Sequence, residues 1–122
     1  MPKSNEEINM KIWTLRFKQT DSADFERLRS GVKSVETRAA SVKYQSVEEG
    51  DTLVFVCGKD KFSKIIKKKY HFKSISAMFK KIPFKKIWPE AKSAKEPEKI
   101  YYSYPNYEQK IKKLGIFAFE LK

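Results

Sequence analysis

Apolar and polar residues alternate in several short stretches of this chain, and the alternation is the first guide to its structure. From Lys11 to Phe17, Trp13, Leu15 and Phe17 alternate with Thr14 and Arg16, the period of two that turns one face of a β-strand toward a core. The segment 21–31 changes period. Phe25 and Leu28 are three apart, Asp21 or Ser22 can cap the start, and Asp24 and Glu26 complement the positive end of a helix. Arg27 and Arg29 suit its negative end, and Gly31 supplies a left-handed stop. Segment 32–38 returns to alternation, with Val35 and Thr37 set against Ser34, Glu36 and Arg38, and predicts a second strand with a polar face. A loop is expected over 39–48 and a turn at Glu49-Gly50-Asp51. Thr52–Cys57 is near-continuously apolar and predicts a central strand buried on both faces.

Gly58-Lys59-Asp60 reads as a turn and 64–73 as a strand. Ile66, Tyr70 and Phe72 are expected on its inner face, with Lys67, Lys69 and Lys73 together on the outer one. Lys68 interrupts the inner face, which points to a bulge or a strand end there. Ser74 can cap a helix reaching Lys81, with Ile75, Met78, Phe79 and Ile82 along one side, stopped by Pro83. A short turn over 84–88 and a polar surface stretch over 90–98 follow. A last helix is expected from Tyr107 to Leu114, ended by Gly115, and a last strand from Ile116 to Leu121. Short helices interleaved with strands leave little room for long crossovers, so the expected class is α+β: a small β-barrel with flanking short helices.

Composition adds three constraints. The chain has 122 residues, enough for one core, and 40% of them are apolar. Residues 1–10 are polar, without the apolar segment of a secretory signal, and read as a flexible tail; 11–122 read as one domain. One cysteine, Cys57, and one histidine, His71, supply neither an internal disulfide nor a metal-ligand set, so the expectation is a cytoplasmic protein with no metal and no cofactor. No apolar run is long enough to span a bilayer, so no membrane partner is expected. A monomer is assumed.

The net charge of +12 changes the picture most. Between Lys59 and Lys86 stand 11 lysines and the single acid Asp60, interleaved with Tyr70, His71, Phe72, Phe79 and Phe84. Cations that follow a phosphate backbone, beside rings that can stack on bases, suit single-stranded nucleic acid. Lys67, Lys69 and Lys73 are candidates for anion contacts. Tyr101, Tyr102, Tyr104 and Tyr107 surround Pro105. They can stack on bases at a cleft mouth, Tyr102 and Tyr104 foremost, or pack over the end of a barrel. Glu36 and Arg38, two apart in a strand, face the same way. Arg38 can grip a phosphate or base edge, Glu36 can accept from an exocyclic amine, and Lys33 can neutralise a phosphate.

Four features in this order resemble the ASCH family, relatives of the PUA domain. They are Phe25 and Leu28 leading into Gly31-Val32-Lys33-Ser34-Val35-Glu36-Thr37-Arg38; Glu49-Gly50-Asp51 before an apolar strand; Tyr70-His71-Phe72-Lys73-Ser74-Ile75 opening a helix; and the final Leu114–Leu121 strand. The family pattern is glycine, any residue, lysine, two residues, glutamate, any residue, arginine, then a Gly-Asp turn. The resemblance runs from about Lys11 to the C-terminus and leaves 83–106 uncovered. It implies a PUA-like β-barrel whose cleft is lined by the polar face of the second strand, and a partner that is RNA rather than DNA. One branch of the family removes the acetyl group from acetylcytidine with a lysine at the position of Lys33 and a threonine at the position of Glu36. Here the lysine is present and the threonine is not; Thr37 falls on the opposite strand face. The alternative to an RNA-binding module is therefore a small hydrolase of a modified nucleoside or of RNA, with Lys33 and Glu36 as its catalytic pair.

Overall fold

The computed structural model describes residues 10–122, so the expected tail, Met10 apart, lies outside the described residues. Five strands form one sheet: β1 (Ile12–Phe17), β2 (Val35–Ala39), β3 (Thr52–Cys57), β4 (Asp60–Phe72) and β5 (Ile116–Leu121), in the spatial order β1-β3-β4-β5-β2. β1 pairs parallel with β3, and the other pairings are antiparallel. The sheet curls into a half-barrel and brings its two edge strands toward each other, so that Arg38 of β2 lies 5.7 Å from the ring of Phe17 on β1. Five short helices accompany it: α1 (Ser22–Ser30), α2 (Val42–Gln45), α3 (Ile75–Lys81), α4 (Lys95–Ser103) and α5 (Tyr107–Leu114).

Each face of the sheet carries its own core. Leu15, Leu53, Phe55, Ile66, Phe117 and Phe119 pack with Phe25 and Leu28 of α1. On the other face Val35, Ala39, Ile116 and Ala118 pack beneath Ile75 and Met78 of α3, Tyr101 of α4 and Ile111 of α5. β5 is buried on both faces, its first four residues all buried, and β2 is nearly so; β3 buries Leu53, Phe55 and Cys57 and only half-buries the residues between. Expecting two buried faces for Thr52–Cys57 credited to β3 a covering layer that the helices supply to β5 and β2 instead.

β4 is longer than expected. A two-residue turn at Gly58-Lys59 starts the strand at Asp60, opposite Cys57. Gly58, with φ +60°, takes the position of this tight turn that favours glycine. The expected irregularity is present: Ile66 pairs with Leu121 and Lys68 with Glu120, leaving Lys67 as an extra residue. The bulge moves the strand from one core to the other. Ile66 enters the first core, while Tyr70 and Phe72 pack against the second. They do not share a face, because one inserted residue inverts the alternation.

Helix signals were legible where they were local. Gly31 ends α1 at φ +88°, although Asp21 makes no side-chain cap. Ser74 caps α3, its hydroxyl accepting from Ala77 N at 3.0 Å. Ser74→Ala is expected to cost about 1 kcal/mol in denaturant unfolding, the usual loss of one N-cap. Two short helices appear where none was expected. α2 interrupts the 39–48 loop, and α4 begins inside the stretch read as polar surface. Pro97 sits in the first turn of α4, where its missing N–H would have no intrahelical partner, and both Pro97 and Tyr101 are buried. No helix among the described residues is long and apolar enough to cross a membrane.

Candidate nucleic-acid cleft

β2 is an edge strand that presents Glu36 and Arg38 toward β1, and Lys33 enters from the turn before it. The Lys33 ammonium is buried, with 4% of its surface exposed, against two carboxylates. Its Nζ lies 3.1 and 3.0 Å from the two oxygens of Asp24 on α1 and 3.2 Å from Glu36 Oε1, with the ring of Trp88 5.5 Å away. Glu36, also 4% exposed, accepts the N–H of Thr37 at 3.1 Å on Oε1 and the Arg38 guanidinium at 3.1 Å on Oε2. Asp24, Lys33, Glu36 and Arg38 thus alternate in sign along one chain of contacts.

This pairing sets the proton inventory. Burial favours the neutral form of Lys33, but the charges of Glu36 and Asp24 outweigh it and hold the ammonium above its usual value. Burial likewise opposes ionisation of Glu36; Lys33 and Arg38 overcome it and hold the carboxyl below its usual range. Asp24 goes the other way, raised by burial against the pull of Lys33. A lysine held protonated between two carboxylates cannot accept a proton at neutral pH, so the geometry offers no support to Lys33 as a general base. Nor is Lys33 free to meet a phosphate, or Glu36 an exocyclic amine: both are spent within the network.

Arg38 differs. Its guanidinium is 5.7 Å from the ring of Phe17 and 5.9 Å from that of Tyr44, so two rings flank it. One terminal nitrogen is bound to Glu36, and the buried Nε has no partner among the described residues. The group borders a cavity of about 220 Å³ lined by Thr14, Leu15, Arg16, Arg38, Lys43 and Tyr44. Arg16 and Lys43 bring two more cations to its rim. Next to it, sharing Thr14, Leu15, Lys43 and Tyr44, lies an apolar recess of about 160 Å³ walled by Trp13, Val47, Leu53 and Phe119. Trp13 is held there by Asp51, the acid of the Glu-Gly-Asp turn. The Asp51 carboxylate accepts from Lys11 N at 3.0 Å, Trp13 Nε1 at 2.8 Å and Glu48 N at 2.9 Å. Burial resists its charge, and those three donors outweigh burial, holding its carboxyl below its usual range.

The tyrosines divide. Tyr101 is buried in α4 rather than loose in a loop. Its oxygen accepts from Trp88 Nε1 at 3.1 Å and lies 2.5 Å from the Thr37 hydroxyl, which ties the second face of β2 to the helices. Burial holds its hydroxyl far above the usual value. Tyr107 accepts from Ala39 N at 3.2 Å and packs edge-on against Tyr104. Tyr104 is 42% exposed, and its hydroxyl is raised by burial and by the charges of Asp21 and Asp24. Tyr102 packs against the second core. Of the two tyrosines expected to stack on bases, Tyr104 is exposed and Tyr102 half-buried.

The three candidate lysines also separate. Lys67, in the bulge, lies 3.7 Å from Glu120; Lys69 reaches across β5 to the ring of Phe117 at 4.5 Å and donates to Gln45 O at 3.0 Å. Phe117 and Glu120 are of opposite parity on β5, so Lys67 and Lys69 do not act on one face. Lys73 is exposed beyond the strand end. Residues that pattern reading missed include Asp24, Trp88, Arg16, Lys43 and Tyr44. Asp24 carried only the signal of an acid at a helix start, and nothing in the spacing links it to Lys33.

No family model matches the chain, and no curated protein matches it. Solved structures do. The crystal structure of hypothetical protein PH0355 superposes with a TM-score of 0.78 at 26% identity, covering 93% of this chain and 98% of that one. The solution structure of protein PF0455 from Pyrococcus furiosus gives a TM-score of 0.71 at 24% identity over 93% and 96% of the two chains. The α+β half-barrel described above is therefore shared with solved proteins over nearly its whole length.

Proposed function

We propose that this chain is an ASCH-type domain of the PUA-like barrels and that the cleft between β1 and β2 binds single-stranded RNA. The observation that carries this reading is the Arg38 guanidinium. It is oriented by Glu36, flanked by Phe17 and Tyr44, and faces a cavity whose rim adds Arg16 and Lys43. A planar fork with unspent donors recognises a phosphate or a base edge, and neighbouring rings favour a planar ligand. The buried network behind it pre-orients Arg38, so little side-chain freedom is lost on binding. The cavity is smaller than the roughly 300 Å³ at which small-molecule pockets begin, which suits one base or one phosphate of a longer chain. The net charge of +12 supplies the long-range attraction.

The test is fluorescence anisotropy of a labelled single-stranded RNA with wild type, Arg38→Ala and Lys73→Ala at low and high salt. Arg38→Ala is expected to weaken binding about tenfold at both salts, the loss of one charge-assisted contact, while circular dichroism shows the fold retained. Lys73→Ala is expected to weaken binding less, and mainly at low salt. Equal effects from the two variants would mean that charge alone drives association and that the cleft is not the site.

A further inference from the structure

A second, larger cleft lies on the far side of α2. It encloses about 550 Å³ and is lined by Ala40 and Gln45 at the two ends of the α2 segment, by Lys69 and His71 of β4, and by Lys113 and Phe117, among others. The Arg38 cavity is lined by Lys43 and Tyr44 of the same short helix. α2 has four residues, about one turn and roughly 6 Å long, so the two clefts are separated by a single helical turn.

The chemistry of this cleft is cationic and pre-arranged. Lys69 is not a loose surface lysine. Its ammonium is fixed by Gln45 O at 3.0 Å and by the face of Phe117 at 4.5 Å. An ammonium has three donors, and the carbonyl takes one, leaving two for a ligand. Lys113 is exposed in the last turn of α5. His71 Nε2 sits 2.8 Å from Leu114 O, and since a carbonyl can only accept, Nε2 carries the proton. That contact holds the ring across the cleft floor, tilted on Phe117 at 4.8 Å. Among the described residues no carboxylate lines the cleft; Glu49 accepts the backbone N–H of Lys69 and is not among the lining residues.

We infer that this cleft is a second nucleic-acid subsite, which holds the phosphate backbone flanking the nucleotide bound at Arg38 and makes the ligand an oligonucleotide rather than a free nucleoside. The inference rests on the reading of the Arg38 cavity as a nucleotide site. Lys69 and Lys113 contact phosphates, and α2 is the ridge the chain crosses between the subsites.

The experiment compares uridine monophosphate with octauridylate on the wild type, the Lys69→Ala/Lys113→Ala pair, a Lys95→Ala/Lys99→Ala pair and Arg38→Ala. The control pair removes the same charge from exposed positions of α4. For octauridylate, the Lys69/Lys113 pair is expected to lose about tenfold in affinity and to flatten the dependence of log K on log salt by about 1.4, the release from two single-strand phosphates. Its affinity for the monophosphate should stay at the wild-type value, whereas Arg38→Ala should lower both. If the control pair weakens octauridylate as much, the effect is general charge and the subsite is overturned. If the Lys69/Lys113 pair leaves octauridylate binding and its salt slope unchanged while Arg38→Ala lowers both ligands, the subsite fails and the Arg38 reading survives. If Arg38→Ala changes neither ligand, the reading on which the subsite rests fails, and the inference falls with it.

Discussion

Lys33→Ala is expected to destabilise the protein by about 3–5 kcal/mol, the cost of leaving a buried charge without its partner. The ammonium is enclosed by Asp24 and Glu36, and among the described residues removing it leaves Glu36, 4% exposed, with Arg38 as its one ion-pair partner and Asp24 with none. In a domain of this size that amounts to a fall in Tm on the order of 10 °C or more, readable by thermal and urea unfolding. Lys33→Met combined with Asp24→Asn should be milder than Lys33→Met alone, because the second change removes the carboxylate left without a cation while Glu36 keeps Arg38. A double variant as unstable as the single one would show that packing, not charge pairing, explains the loss. The same network sets the pH window. The folded state holds the Lys33 ammonium above its usual 10.5, so its contribution is complete below that pH and is lost as pH rises through the higher folded value. Glu36 is held below 4.5, so its contribution is complete above that pH and is lost as pH falls through the lower folded value. Asp24, held above 3.8, acts against Glu36: its protonation on acidification favours the folded state and softens the acid limb.

The second large effect is expected at Asp51. Its carboxylate gathers three donors from three places in the chain: the start of β1, the indole of Trp13 and the turn before β3. Hydrogen bonds to a charged acceptor contribute about 1.5–3 kcal/mol each, but the backbone donors at Lys11 and Glu48 can partly return to water. Asp51→Ala is therefore expected to cost roughly 2–4 kcal/mol in urea unfolding. Asp51→Asn should cost less. An amide oxygen placed where Oδ2 stands still accepts from Trp13 and Glu48, and only Lys11 N then faces an NH2 group. Trp13 also walls the apolar recess beside Arg38, so Asp51→Ala should shift the intrinsic fluorescence of the native state. An Ala variant with wild-type stability would remove the turn from the account of how β1 is positioned.

What pattern reading reached follows from what a local segment can encode. Alternation along β1 and along Ile116–Leu121 needs only the pleat of one strand. The Ser74 cap and the Gly31 stop need only the geometry of one helix end, and the Lys68 irregularity broke a period visible within ten residues. The pair Glu36 and Arg38 was legible for the same reason, since residues two apart along an extended strand share a face, and Lys33 joined them through the motif that resembles the ASCH family. Their chemistry was not. Whether Lys33 is a phosphate ligand or a buried counter-ion depends on Asp24, which α1 delivers to it. The reach of Arg38 depends on a curl that brings Phe17 and Tyr44 around it. β4 shows the limit most plainly: the bulge could be suspected from the sequence, but the core that each side then faces is set by pairing with β5. By itself, then, the sequence determined the positions of the strands and the helix ends marked by a cap or a glycine, the excess of positive charge and the identity of the motif residues. The tertiary structure decided which of those residues are spent on one another and which remain for a ligand, because burial and pairing across the fold are properties of contacts that no spacing along the chain records.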